Sequence, residues 1–489
     1  MSNASARCRI AVTVDDELFF LSATEMAARI RRRALSPVEL IDGLFARIER
    51  VNPPINAYVT LAVDQARAAA RAAEQAVMRG DTLPPLCGVP VHLKDNIETA
   101  GVRTTYGSRA FEDHVPTEDA LLVSRLKAAG GIVVGKTNLP EFASKGVCDS
   151  PLLGYGRNPW NLERMPGGSS GGAAAAVAAG LGPLGIGNDV AGSVRVPAAC
   201  CAVVGLKPSA GRIPNHPNGI PWDIAFQQGP IARTVGDVDL ALRVLSGPHD
   251  LDLLSLPPMA EDSRGLDDLI RPWRFAWSPD LGFARVDREV LELTEAAVKA
   301  FQGTGRVETP PLDLRDALDV FKIVVPFYRA AAVAPHVEEW APKMDPFVAD
   351  YYRLGMTLTA ADVARAVQHR ERLTAAVAAV FSDHDFIVTP TMACVPWEYT
   401  RTFPALIDGR PLENWRDWLP FTYPFNFTGH PAVSVPAGFT RDGLPVGLQI
   451  VGRRFADREV LAAARFLEQA RPWAHRRPPL VAGAARGGS

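Results

Sequence analysis

The stretch from Gly167 to Pro197 restricts the fold more than any other part of this 489-residue chain. It opens on Gly167-Gly168-Ser169-Ser170-Gly171-Gly172 and runs on through alanines. It closes on Gly185-Ile186-Gly187-Asn188-Asp189-Val190-Ala191-Gly192-Ser193-Val194-Arg195-Val196-Pro197. From Gly171 to Asn188 no residue is charged. A solvated linker is excluded, because the apolar surface would be left in water. A membrane span is excluded too, since Ala and Gly are weakly hydrophobic and Pro183 interrupts the run. The stretch therefore reads as a tightly packed buried helix and turn, bracketed by two small-residue turns that each present a serine. Small residues let backbone approach backbone or substrate closely. Gly and Pro are densest from about 151 to 236, which marks that region as a turned core.

The flanks alternate helical and strand patterns. Residues 24 to 50 have helical apolar spacing broken at Ser36-Pro37, with Ser36 placed as an N-cap, Pro37 as the first helical residue and Glu39 in the first turn. Helices are also predicted over 62–79, 119–129, 284–302, 359–381 and 457–470. Short strands are predicted at Cys87 to Leu93, Ile132 to Val134, Phe386 to Val388 and Ala432 to Val435. This alternation is that of an α/β protein. No linker divides the chain, so one large domain is expected over 21–470, after an N-terminal segment 1–20. The Pro-, Arg- and Gly-rich tail 471–489 is expected to be flexible.

Composition narrows the function classes. With 47% hydrophobic and 22% charged residues, the chain has the profile of a soluble protein with a large core. A net charge of -2 gives it no basic field to hold nucleic acid or an anionic membrane. Six cysteines without C-x-x-C spacing form no disulfide framework. Asp15, Asp16 and Glu17 fall where a signal peptide would be apolar. A cytoplasmic location is expected.

Two short motifs mislead. Gly130 to Thr137 fits the phosphate-loop pattern, but its Ile-Val-Val interior is strand material and Pro140 follows where a helix should run. Gly167 to Gly171 fits the nucleophile elbow, but Asn161 to Pro166 is not the strand an elbow must leave. An elbow also needs a histidine, and His216, His384 and His430 carry no such signal. For Ser169 itself, a helix N-cap is the plain alternative.

Taken whole, Gly167 to Ala198 resembles the Gly/Ser-rich signature of the amidase signature family. The resemblance extends to Gly88-Val89-Pro90-Val91-His92-Leu93-Lys94-Asp95, Gly135-Lys136-Thr137-Asn138, Asn158-Pro159-Trp160, Gly205-Leu206-Lys207-Pro208-Ser209, Pro424 to Pro436 and Gly443 to Gln449. It covers roughly 20–470, with a signature core of about 85–236 and a variable, substrate-selective region of about 245–420.

The resemblance implies a mixed β-sheet core with helices on both faces and hydrolysis of a carboxamide C–N bond, not a peptide-bond protease. It places the catalytic lysine on Lys94, the bridging serine, with a cis peptide bond to Gly168, on Ser169, and the nucleophile on Ser193. Backbone N–H groups from Val190, Ala191, Gly192 and Ser193 would form the oxyanion hole, with Ala143 and Ser170 beside the substrate. No cofactor and no metal are implied; the partner is a small-molecule amide, and a homodimer is the default assembly.

The chemistry suits these residues. A serine hydroxyl needs a base, and lysine serves only when burial has made it neutral. His92 stands where an aliphatic residue is usual, which raises the question of its effect on Lys94. Asp189 and Arg195 are expected to brace the Ser193 turn. Trp222, Phe226, Phe327, Tyr328, Trp397 and Trp415 are candidates for an apolar or aryl pocket, or for the core. Two other readings are the transamidating subunit of a tRNA-dependent amidotransferase and a non-catalytic binding protein of the same fold.

Overall fold

In the computed structural model, residues 16–482 are described apart from 218, 219, 221, 260–263, 334 and 335. Cys8, Asp15 and the last seven residues of the tail lie outside the described residues. The strands are β1 (Tyr58–Leu61), β2 (Pro90–Lys94), β3 (Ile132–Thr137), β4 (Leu184–Asp189), β5 (Val204–Lys207), β6 (Gln227–Ala232) and β7 (Trp273–Trp277). They continue with β8 (Gly305–Glu308), β9 (Phe386–Pro390), β10 (Leu406–Ile407), β11 (Arg410–Pro411), β12 (Ala432–Phe439) and β13 (Pro445–Gly452). Among the described residues, eleven of them form one sheet in the order β1-β3-β2-β4-β6-β5-β12-β13-β9-β7-β8. β2 runs parallel to β3 and β4, and β7 parallel to β8 and β9; the remaining neighbours are antiparallel. The sheet is therefore mixed. Every residue of β2 to β6, β9 and β13 is buried, because helices cover both faces.

Local chemistry explains the helix ends. The Ser36 hydroxyl accepts the Glu39 N–H and Pro37 opens the helix Pro37–Ile55. Thr359 and Asp362 cap the helix Ala360–Asp383 reciprocally. The expected helix over 284–302 is an α-helix, Arg288–Val298, finished by a 3₁₀ turn, Lys299–Gly303. The phosphate-loop match is strand β3, with Lys136 buried inside it. The region 245–420, expected to be variable, supplies β7, β8 and β9 to the common sheet. The tail from 471 is also more ordered than expected. Trp473 is buried and its indole N–H donates to Arg233 O at 3.1 Å, which anchors the segment that ends in the helical turn Pro479–Ala482.

The uncharged stretch forms the helix Gly171–Ala178, all of it buried, followed by β4. Among the described residues no helix is long and apolar enough to cross a membrane. Small residues are required here by contact. A Cβ on Gly172 would lie 2.4 Å from Asn138 N and 2.7 Å from Ala57 O, both backbone atoms that cannot swing away. Gly172→Ala is expected to cost about 1–3 kcal/mol by overpacking, read as a lower urea midpoint.

Register sets the site. Leu93 lies opposite Ile186, and Lys94 opposite Thr137. The carboxyl ends of β2 and β4 thus finish side by side, leaving Lys94 and Asn188 as neighbours at a crevice beyond the strand ends.

Candidate active site

Lys94 is fully buried. Its Nζ lies 2.6 Å from Ser169 Oγ and donates to Asn188 Oδ1 at 2.7 Å. The Asn188 amide nitrogen donates to Asn96 Oδ1 at 2.9 Å, which fixes the carbonyl end of Asn188 on the lysine. No carboxylate pairs with Lys94 among the described residues. Burial first, and the Arg329 charge after it, lower its pKa to about 7 despite Asp189. His92 is also buried, and burial takes its pKa down to about 4. Its ring Nε2 sits 3.2 Å from Ala173 O, so the neutral imidazole adds no charge beside Lys94.

Ser169 is buried, and its peptide bond to Gly168 is cis, as expected. It is not an N-cap: Ser170 holds that position for the helix Gly171–Ala178. The Ser170 N–H donates to Ser193 O at 3.1 Å, which lays the two serine turns against each other. Ser170 Oγ donates to Asn188 O at 3.4 Å and stands as a neighbour of the pair Lys94–Ser169.

Ser193 sits in the turn between β4 and the helix Arg195–Cys201, and lines a cavity of about 50 Å³ with Ala143, Gly168, Val190, Ala191 and Gly192. Asp189 and Arg195 brace this turn directly. They form a buried ion pair at 2.8 Å. The Asp189 carboxylate also accepts the N–H groups of Gly192 at 2.7 Å and Val194 at 3.1 Å. Burial alone would raise the Asp189 carboxyl; the Arg195 guanidinium and the Asn426 amide overcome that and hold it well below the usual carboxylate range. Arg195 further donates to Thr422 O, Gln449 Oε1 and Asn426 Oδ1. One expectation changes here. The Gly192 N–H points at Asp189 and is not free to meet a substrate oxygen. Among the described residues, the N–H groups of Val190, Ala191 and Ser193 have no acceptor.

A second cavity of about 320 Å³ adjoins the first through shared walls of Val190, Val325 and Arg329. Of the six aromatics singled out by sequence, Phe226 and Tyr328 line the larger cavity and Trp415 the smaller. Trp222 is exposed, Trp397 is core against Trp418, and Phe327 lines neither. The larger cavity takes its other rings from residues sequence reasoning missed: Tyr106, Phe111, Phe142, Trp340 and Tyr352. His216 lines it as well, while His384 pairs with Glu308 and His430 packs on Phe381. Asp316, Asp319 and His369 lie within metal-ligand reach of one another, but Arg372 and Lys322 already pair with the two carboxylates. None of the three lines either cavity.

The family described as Amidase matches residues 39–461. The chain is similar to an acylamidase of Rhodococcus erythropolis, 40% identical over 95% of this chain and 98% of that one. It is also similar to a glutamyl-tRNA(Gln) amidotransferase subunit of Moorella thermoacetica, 35% identical over 95% of this chain and 99% of that one. Its structure superposes on that of a bacterial aryl acylamidase of the amidase signature enzymes with a TM-score of 0.87 at 30% identity, covering 93% of this chain and 97% of that one. With the matched span running through Lys94, Ser169 and Ser193, the chain belongs to the amidase signature family and is an enzyme of amide carbon–nitrogen bonds.

Proposed function

We propose that the chain hydrolyses a small carboxamide to a carboxylic acid and ammonia or an amine through an acyl-enzyme on Ser193. The observation that carries this reading is the 2.6 Å contact between Ser169 Oγ and a fully buried Lys94 whose pKa is lowered to about 7. A neutral amine has a lone pair, and Ser169 can donate its proton to it. Ser169 then takes the proton of Ser193, whose oxygen attacks the amide carbon. The free N–H groups of the Val190–Ser193 turn face the developing oxyanion, where one well-placed donor is worth about 3–4 kcal/mol of barrier. Ser169 passes the proton to the leaving nitrogen as the C–N bond breaks. Water, deprotonated by the same relay, releases the acid. The ring-lined cavity beside Ser193 favours amides with an aryl or bulky apolar group. Cys87, Cys148, Cys200, Cys201 and Cys394 are all free and buried, which accords with a cytoplasmic setting.

The test is an acylating serine probe on the purified chain. Wild type is expected to label and to release ammonia or amine without a partner; labelling that persists in Ser193→Ala rejects the nucleophile. Inactivity on every amide until a partner protein is supplied would instead favour the transamidating reading, which the likeness to the amidotransferase of Moorella thermoacetica motivates.

Because the neutral form of Lys94 is the active one, kcat/KM should fall about tenfold per pH unit below a pKa near 7 and level off above it. Asn188→Asp places a carboxylate against Nζ, favours the ammonium, and should move that acid limb up by roughly one to three pH units. A pH profile of the variant that superposes on wild type would exclude the lysine as the titrating base.

A further inference from the structure

The helix Asp316–Val333, from the variable region, brings Arg329 to the boundary between the two cavities, where it lines both. The residue is half-buried, and no carboxylate pairs with it among the described residues. It spends its donors on backbone instead: on Phe142 O at 3.1 Å and Ala143 O at 3.4 Å. Those two residues are unusual. Both have left-handed backbone without being glycine, at φ 47° and 57°. Such conformations cost about 1–3 kcal/mol each and persist only when the surroundings hold them. They also point to different places: Phe142 is a wall of the ring-lined cavity, and Ala143 a wall of the Ser193 cavity.

We propose that Arg329 is a positioning residue of the hydrolytic site, clamping the Phe142–Ala143 turn so that one lobe holds the amide at Ser193 and the other holds its bulky group. The inference rests on the serine-hydrolysis reading above. Arg329 chooses among substrates because the turn it fixes shapes both lobes at once. A carbonyl pair 3.1 and 3.4 Å away suits the guanidinium fork and not a single ammonium point. A second consequence follows from charge. Lys94 is faced by Asp189 from the end of β4, by the Cys148 thiol from the loop after Ala143, and by Arg329 from the helix 316–333. Arg329 in turn faces Asp223 and Tyr352. Removing its positive charge favours the ammonium on Lys94.

The experiment compares Arg329→Gln and Arg329→Lys with wild type, measuring kcat/KM for an N-aryl amide and for acetamide across pH. For Arg329→Gln, the aryl-to-acetamide ratio should fall roughly 10²-fold, the scale of a misplaced binding wall, and the acid limb should move to higher pH. Arg329→Lys keeps the charge without the fork, so its limb should stay with wild type while part of the ratio is lost. Equal loss on both substrates with an unmoved limb, or no change beyond twofold, would overturn the proposal. So would loss of folded protein in both variants, which would assign Arg329 to stability. Ser193→Ala is run alongside. If it is inactive while Arg329→Gln behaves as wild type, only the clamp fails; if it still hydrolyses, the serine reading fails first.

Discussion

Replacing Lys94 by methionine should lower kcat/KM for amide hydrolysis by about 10⁴- to 10⁶-fold, the range seen when one member of a concerted nucleophile–base set is removed. Methionine keeps the length and the apolar stem, so packing around the site changes little. The loss is specific: Ser169 Oγ and Asn188 Oδ1 each lose the group that now sits at 2.6 and 2.7 Å. Leaving the Ser169 hydroxyl and the Asn188 carbonyl buried without a partner costs stability, while removing an amine that burial disfavours returns some of it. The net change in unfolding free energy should stay within about 2 kcal/mol. Folded, soluble protein with almost no turnover is thus the expected result. A variant retaining a tenth or more of wild-type activity would show that another group removes the serine proton.

Asp189→Asn should destabilise the protein by about 3–5 kcal/mol, since it strands the Arg195 charge in the interior. Arg195 is fully buried, and so is its partner. The carboxylate also gathers the N–H groups of Gly192 and Val194, so its loss loosens the turn that carries Ser193. The double variant Asp189→Asn with Arg195→Gln removes both charges. It should recover part of the stability but little activity, because the turn has still lost its ionic acceptor. Urea unfolding and kcat on one amide separate the two effects. A single variant that loses under about 1 kcal/mol, or a double variant with full activity, would show that the ion pair does not organise the turn.

What the sequence disclosed depended on how far each relationship reached along the chain. Ser169, Ser193 and the brace from Asp189 to Arg195 lie within one continuous stretch, and the family resemblance carries Lys94 to them. Asn188 stands in that same stretch, yet its task depends on Asn96, on another part of the chain, and no local pattern announces it. The hydrogen bond from Gly192 to Asp189 could not be read from letters, because every residue of a turn has an N–H and only geometry says which are spoken for. Aromatic identity was equally mute: Trp222 faces solvent, Trp397 fills core and Phe226 lines a cavity, though all three are large rings in loops. Strands β7 and β8, and the helices Asp316–Val333 and Pro346–Met356, were not predicted. Short runs such as Trp273 to Trp277, apolar except for Arg274, have no period long enough to distinguish strand from buried helix.

The position of β7, β8 and β9 bears on how a chain like this can acquire a new substrate. β9 hydrogen-bonds to β13, and β7 lies between β9 and β8, so three strands of the region that contributes Tyr328, Arg329, Trp340 and Tyr352 to the larger cavity are ribs of the same load-sharing frame as the strand that ends at Lys94. That region cannot be exchanged as a cassette with a relative's without reopening the frame. New selectivity is then expected residue by residue, from rings and guanidinium on the helices Asp316–Val333 and Pro346–Met356, which pack on each other, while the ribs themselves stay put.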